Sequence, residues 1–480
     1  MADIRYLCIS DLHLGADNSL LTNLRPGTSE VDPTQPSAVL VQLAECLNSL
    51  ATLNGARRKP TLILNGDALE LALALDNKAA MAFERFLEVL FPTNSEPLVD
   101  SQIIFIPGNH DHHLWETARE TQYAQFLGNI LPGSFLEPPW HTTKMFKPDF
   151  VSATLLNSVI HRYERMVARG VSVGTVYPNL VLLNKDETRC AIFTHGHFVE
   201  SIYKLMSELR TSLFPDEHEP IQIWDLEGEN FAWIDFFWST MGRSGAVGAD
   251  IERVYEMLLV PRTRRKLAAQ LARAIGRAWM PKLPSVGERL ALVLVPVINS
   301  FLGKASGLEK GKADQPLTGD ASAGFRFYVE ELLLNQLMLE RKDTMPVQAA
   351  IIFGHTHKPF ASTQNFKGFP EQVSVFNTGG WVVDAPATES SHGASIVLVD
   401  DDWNLAALRV YNEADDPHSY AVKVESADGN PAANPLCNQL DMVLKACRKQ
   451  WESLSTVIAE NVSTYHRNFA NRLRHITQNG

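Results

Sequence analysis

Five short clusters gather side chains able to do chemistry: Asp11-Leu12-His13, Asn65-Gly66-Asp67, Gly108-Asn109-His110-Asp111, His195-Gly196-His197 and Gly354-His355-Thr356-His357. A mixture of imidazole, carboxylate and amide oxygen suits borderline divalent cations such as Mn, Fe(II), Co or Zn. Thiolates are too few for a structural zinc site, and imidazoles too many for a calcium site. The five cysteines (Cys8, Cys46, Cys190, Cys437 and Cys447) are odd in number and form no Cys-x-x-Cys pair. That pattern suggests neither a disulfide framework nor a thiolate site, and fits a reducing compartment. Taken singly, an Asp-x-His or a Gly-Asn-His is as readily a turn or a capped helix start as a ligand pair. Five in order, each closing an apolar run, point to one shared site.

The runs that must position these clusters are 6–10, 61–64, 103–106, 190–193 and 349–353. Each has the length of a buried strand, and near-continuous apolarity is what a strand covered on both faces requires. Helical periodicity lies between the early runs, over 35–53 and 81–90. Strand and helix alternating in this way predict an α/β layered fold, with the clusters collected along one edge where the strands end.

The five clusters resemble the signature of the calcineurin-like metallophosphoesterase family: Asp-x-His, Gly-Asp, Gly-Asn-His-Asp/Glu, a downstream His, and Gly-His-x-His. The turn Asn377-Thr378-Gly379-Gly380-Trp381 is similar to that family's Asn-x-Gly turn. The resemblance implies a β-sandwich of two mixed sheets flanked by helices. It also implies two divalent metal ions, one held by Asp11, His13, Asp67 and His357, the other by Asp67, Asn109, His195 and His355. Manganese is the favoured metal. Two cations about 3.5–4 Å apart fix a phosphate ester and lower the proton affinity of a bridging water, so a hydroxide nucleophile exists near neutral pH. The function so implied is a hydrolase acting on phosphate esters. His110 would face the leaving oxygen as proton donor, and Asp111 would pair with its other ring nitrogen. His197 is read as a residue near the phosphate. His112 and His113 are expected at a solvated or packed helix start, and Asp17, Asn18 and Glu70 as loop and helix-cap residues.

One branch of the family, the bacterial UDP-2,3-diacylglucosamine pyrophosphohydrolases, carries arginine where this chain has His110. The segments 65–70 and 354–359 look somewhat like that branch, so a membrane-surface hydrolase of a nucleotide-linked lipid or a phospholipid is the first alternative. A non-catalytic protein-binding scaffold is the second.

The remainder reads as insertions. We expect a core over 1–197 and 346–433 with an insert at about 114–188, a helical insertion over 198–345 acting as lid, and a C-terminal helix over 434–480. Helical patterns fall at 157–168, 201–213, 254–279 and 325–339, strands at 373–383 and 395–411, and a linker at 304–323. The segment 261–282 carries seven basic residues and no acid inside a chain of net charge −12. It is either a basic amphipathic helix for an anionic membrane surface or a packed helix with a solvated basic face; its arginines are also able to meet a substrate's far phosphate. Phe231, Trp233, Phe236, Phe237 and Trp238 are expected in the core. A net-acidic chain lacks the global field that gathers nucleic acid. The first residues leave no room for a signal peptide, and no run approaches the roughly 20 apolar residues that span a bilayer, so we expect a cytoplasmic protein.

Overall fold

Period-two alternation runs through the central strands and sorts their side chains into two apolar layers. In Ile4–Ile9, Leu7 and Ile9 face one layer and Cys8 the other. In Thr61–Asn65, Leu62 and Leu64 part from Ile63 in the same way; in Gln102–Ile106, Ile103 and Phe105 part from Ile104 and Ile106. Both faces are covered, which is why these runs read as continuously apolar. Strands Arg189–Thr194 and Gln348–Phe353 contribute Ala191, Phe193, Ala350 and Ile352 to the layer that also holds Cys8 and Ile63. The two sheets therefore share that layer, and each buried aliphatic or aromatic side chain in it contributes about 1.5–3 kcal/mol.

The computed structural model describes residues 2–55, 58–214, 220–240, 316–342 and 344–479, with a few isolated positions between 265 and 296. The fold is mixed α/β. The larger sheet has eight strands in the order Lys423–Glu425, Leu405–Asn412, Gly393–Asp400, Ile4–Ile9, Thr61–Asn65, Gln102–Ile106, Ser172–Thr175, Val151–Ser152. The fourth to seventh of these, Ile4–Ile9 through Ser172–Thr175, are parallel, and the strands flanking them pair antiparallel. The smaller sheet has five: Phe360–Gln364, Val373–Asn377, Gln348–Phe353, Arg189–Thr194, Asn179–Leu183, with the central three parallel. Helices Ala38–Ala51, Asp76–Leu90 and the two C-terminal helices cover the outer face of the large sheet. Insertion residues such as Ile223, Leu226, Phe325 and Val329 cover the outer face of the small one.

Several expectations change. The 114–188 stretch is not simply an insert, because it supplies strands to both sheets; Ser172–Thr175 contains a glycine and only four residues, too little for a legible period. The helix expected over 157–168 is two short ones, Thr154–Ile160 and Glu164–Ala168. The 395–411 stretch is a hairpin in the large sheet beside Ile4–Ile9, whereas Val373–Asn377 joins the small sheet. The C-terminal helix is two, Pro435–Ala446 and Arg448–Asn479, broken at Cys447; the break lets both Leu440 and Trp451 reach the same apolar layer. The expected linker ends early: Thr318 caps Gly319–Phe327 by accepting from the Ala321 N–H at 3.3 Å. The segments 254–279, 261–282 and 304–315 fall outside the described residues apart from the isolated positions. Of the aromatic stretch, Trp238 is buried and Phe231, Trp233 and Phe237 partly so, but Phe236 is exposed.

Candidate metal centre

Five parallel strands, three from the large sheet and two from the small, deliver the five clusters to the edge that the sheets share. Asn65 stitches this edge: its Nδ2 donates to the carbonyls of Thr194 and Ile352 at 2.9 and 3.3 Å, so three strand ends meet at one side chain. The carboxylates cross-link the clusters further. Asp11 accepts from the His355 N–H at 3.0 Å, and Asp67 Oδ1 from the His110 N–H at 2.8 Å.

Close approach demands glycine at two positions. A Cβ on Gly108 would sit 2.2 Å from Asp67 Oδ1, and one on Gly354 2.2 Å from Asp11 Oδ2. The backbone is also strained where the side chains converge. Of nine non-glycine residues with positive φ among the described residues, five are Asp11, His13, Asp67, His355 and His357. Such conformations persist only where surroundings over-determine them, and they concentrate at functional sites.

The converging atoms form two groups. Asp11, His13 and His357 make one, Asp67, His195 and His355 the other, with ligand atoms inside 4.8 Å of one another in each. In the first, His13 Nε2 and His357 Nε2 are 3.3 Å apart, and His357 Nε2 lies 3.3 Å from Asp11 Oδ1. In the second, His195 Nε2 lies 3.0 Å from Asn109 Oδ1 and 3.3 Å from Asp67 Oδ2. Asp67 Oδ2 is also 3.7 Å from His13 Nε2, so one carboxylate oxygen stands between the groups. It is buried and accepts no well-formed hydrogen bond. All seven expected ligands, Asn109 included, are at most 3% exposed.

Outer hydrogen bonds fix the rings. His13 Nδ1 donates to Glu70 Oε2 at 2.9 Å, His357 Nδ1 to Asp384, and His195 Nδ1 to the Asn65 carbonyl at 3.2 Å. Protons held at Nδ1 leave lone pairs at Nε2 directed inward, which is how imidazole ligands are prepared. Two such nitrogens 3.3 Å apart repel unless an electrophile lies between them. A cation fits this arrangement, and an orphaned, buried Asp67 Oδ2 fits a position between two. Burial would raise the Asp67 carboxyl, but His195, His110 and His13 outweigh it and hold the pKa well below the usual range. Burial would likewise lower His195, yet Asp67 carries it up to about 9, so a cation there competes with a proton on His195.

The residues around His110 depart from expectation. Asp111 does not pair with it. The Asp111 carboxylate accepts from the N–H groups of Gly108, Ala68 and Leu69 at 2.7, 2.7 and 3.2 Å, tying the second and third clusters together. Burial and the neighbouring Asp67 push that carboxyl up to about 7. The partner of His110 is Glu70, 3.0 Å from its Nδ1. Glu70 thus bridges His13 and His110, while its Oε1 also accepts from the Leu73 N–H at 2.9 Å and closes a turn there. Four further residues were not expected here. Asp384 orients His357, Glu200 lies 3.2 Å from His355 Nε2, and Trp238 and Tyr203 wall the site beside His110 and His355. Only Glu70 carried a usable signal, standing three residues beyond Asp67.

His197 is buried against the second group, its Nε2 3.3 Å from the Tyr177 hydroxyl. Burial, with His195 and His355 nearby, drives its pKa well below the ordinary value. His112 is a packed helix start, fully buried at the beginning of His112–Gly128. It approaches Glu116 and Glu227 closely enough for a metal, but Arg119 already pairs with Glu116 and supplies a cation there. Asp17 pairs with Arg472 on the C-terminal helix, and Asn18 donates to the Val383 carbonyl at 3.3 Å.

No protein-family model matches the chain, and no curated protein does either.

Proposed function

We propose that this protein is a dinuclear metal-dependent phosphoesterase. The observation that carries the reading is Asp67 Oδ2, an orphaned buried oxygen between two groups of inward-facing ligands. One cation would be held by Asp11, His13, Asp67 and His357, the other by Asp67, Asn109, His195 and His355. Manganese is the metal we favour, with iron, cobalt and zinc also suited to imidazole and carboxylate donors. Such a pair supplies Lewis acidity toward a phosphate ester and a nucleophile at neutral pH.

The chain's own residues would do the rest. His110 lies beside the first group, its ring centroid 4.7 Å from that of His13. Its Nδ1 is fixed by Glu70, so the proton it transfers to a departing oxygen is the one on Nε2. Asp111 keeps the loop carrying Asn109 and His110 against the loop carrying Asp67. Trp238 and Tyr203 exclude water from the enclosed site. The β-sandwich expected from the family resemblance agrees with two mixed sheets that share an apolar layer.

The test is hydrolysis of an aryl phosphate ester by purified, manganese-loaded protein. We expect turnover that chelation abolishes, and His110→Asn to lower kcat by about 10²–10⁴-fold while the protein keeps its metal. Turnover unaffected by either treatment contradicts the reading.

A further inference from the structure

The insertion does more than cover the site. Its described part includes the helix Ile223–Ile234 and the π-helical turn Asp235–Thr240 that continues it. This continuous segment meets residues 109–113, which carry Asn109 and His110, through four side chains. Ser239 Oγ donates to the Asn109 carbonyl at 2.6 Å. Glu227 Oε1 takes His112 Nε2 at 2.7 Å, and Asp235 takes His113 Nδ1 at 3.0 Å. Trp238 packs its ring 6.3 Å from that of His110. Ser239, Glu227 and His112 have essentially no exposure.

The helix start at the end of the 109–113 segment lacks a cap of its own. Asp111 stands at the N-cap of His112–Gly128 but makes no capping bond to that helix, since its carboxylate accepts from residues 68, 69 and 108 instead. The Asp111 carboxylate therefore ties the ligand loop to the Asp67 loop and leaves the helix start without a side-chain cap of its own. Glu227 adds a second tie, because its Oε2 accepts from the Tyr177 hydroxyl at 2.9 Å and Tyr177 in turn meets His197 behind the second ligand group. A buried, hydrogen-bonded ion pair such as His112–Glu227 specifies one geometry, because displaced geometries leave a charge unpaired.

We propose that the insertion is a clamp built into the metal centre, in which Ser239 and Glu227 are positioning residues that set Asn109 and His110. The proposal rests on the dinuclear reading, and it makes the second cation, the one Asn109 helps to hold, depend on the insertion more than the first does.

Two variants test it, Ser239→Ala and Glu227→Gln, each measured by manganese titration calorimetry and by amide hydrogen exchange on the full chain. Residues that orient a ligand typically change metal affinity by about 10–100-fold. We expect a weakening of that size for one of two cations in both variants, with the other cation unchanged. We also expect faster exchange in the peptide covering 107–114, with the distant strand Gly393–Asp400 unaltered. Exchange is read without metal, so it reports on the clamp alone. Unchanged exchange in 107–114, or equal weakening of both cations with general loss of protection, overturns the proposal. A parent protein that binds fewer than two cations sinks the dinuclear reading itself, and is seen before any variant is compared.

Discussion

A single carboxylate, Glu70, bonds the Nδ1 atoms of His13 and His110, so a candidate ligand and the candidate proton donor share one anchor. Both imidazoles need an acceptor at Nδ1 to keep the correct tautomer. A glutamine offers one acceptor and one donor, so Glu70→Gln must misplace a proton on one ring. We expect kcat toward an aryl phosphate to fall by about 10²-fold with KM nearly unchanged, measured by steady-state kinetics; a kcat within about twofold of the parent contradicts the shared-anchor role. At this scale the sequence was only partly legible. Residue types and order exposed the inward-facing ligands, because each sits in a cluster that ends a strand. Spacing alone read Glu70 as a loop or helix-cap residue; it closes a turn with the Leu73 N–H and also bridges the two imidazoles. Asp384 and Glu200 stand among unremarkable loop residues, and only tertiary placement brings them to His357 and His355.

At the scale of elements, strand ends and tight turns bring clusters into contact. The loop that begins at Gly108 runs so close to Asp67 that a Cβ would lie 2.2 Å from Oδ1 and 2.6 Å from the backbone nitrogen. Backbone cannot yield as a flexible side chain does, so Gly108→Ala forces the two loops apart. We expect a loss of about 1–3 kcal/mol of stability in denaturant melts, together with loss of metal uptake. Gly128→Ala is the control, because a Cβ there meets nothing within 4 Å and the residue is helical; it should be neutral or stabilise by up to about 1 kcal/mol. Equal effects at the two positions would contradict the close-approach argument. The five parallel strands that carry the clusters were legible because burial on both faces leaves an unbroken apolar run. Which sheet a strand joins was not. The 395–411 hairpin and Val373–Asn377 read alike, yet their partners, Ile4–Ile9 and Gln348–Phe353, are fixed by non-local pairing that alternation does not encode.

Across the whole molecule, a chain of net charge −12 holds Asp11, Asp67, Asp111, Glu70 and Glu200 in a nearly dry interior. Burying that many carboxylates is unfavourable unless positive charge compensates it, and the surrounding imidazoles do so only if protonated. Divalent cations would compensate without protons, and five of the seven expected ligands hold left-handed backbone. No helix among the described residues is long and apolar enough to cross a membrane. The most direct measurement is anomalous diffraction from crystals grown with manganese. We predict two peaks about 3.5–4 Å apart, one among Asp11, His13 and His357, the other among Asn109, His195 and His355, with Asp67 touching both. A single peak, peaks elsewhere, or none at saturating manganese would contradict it.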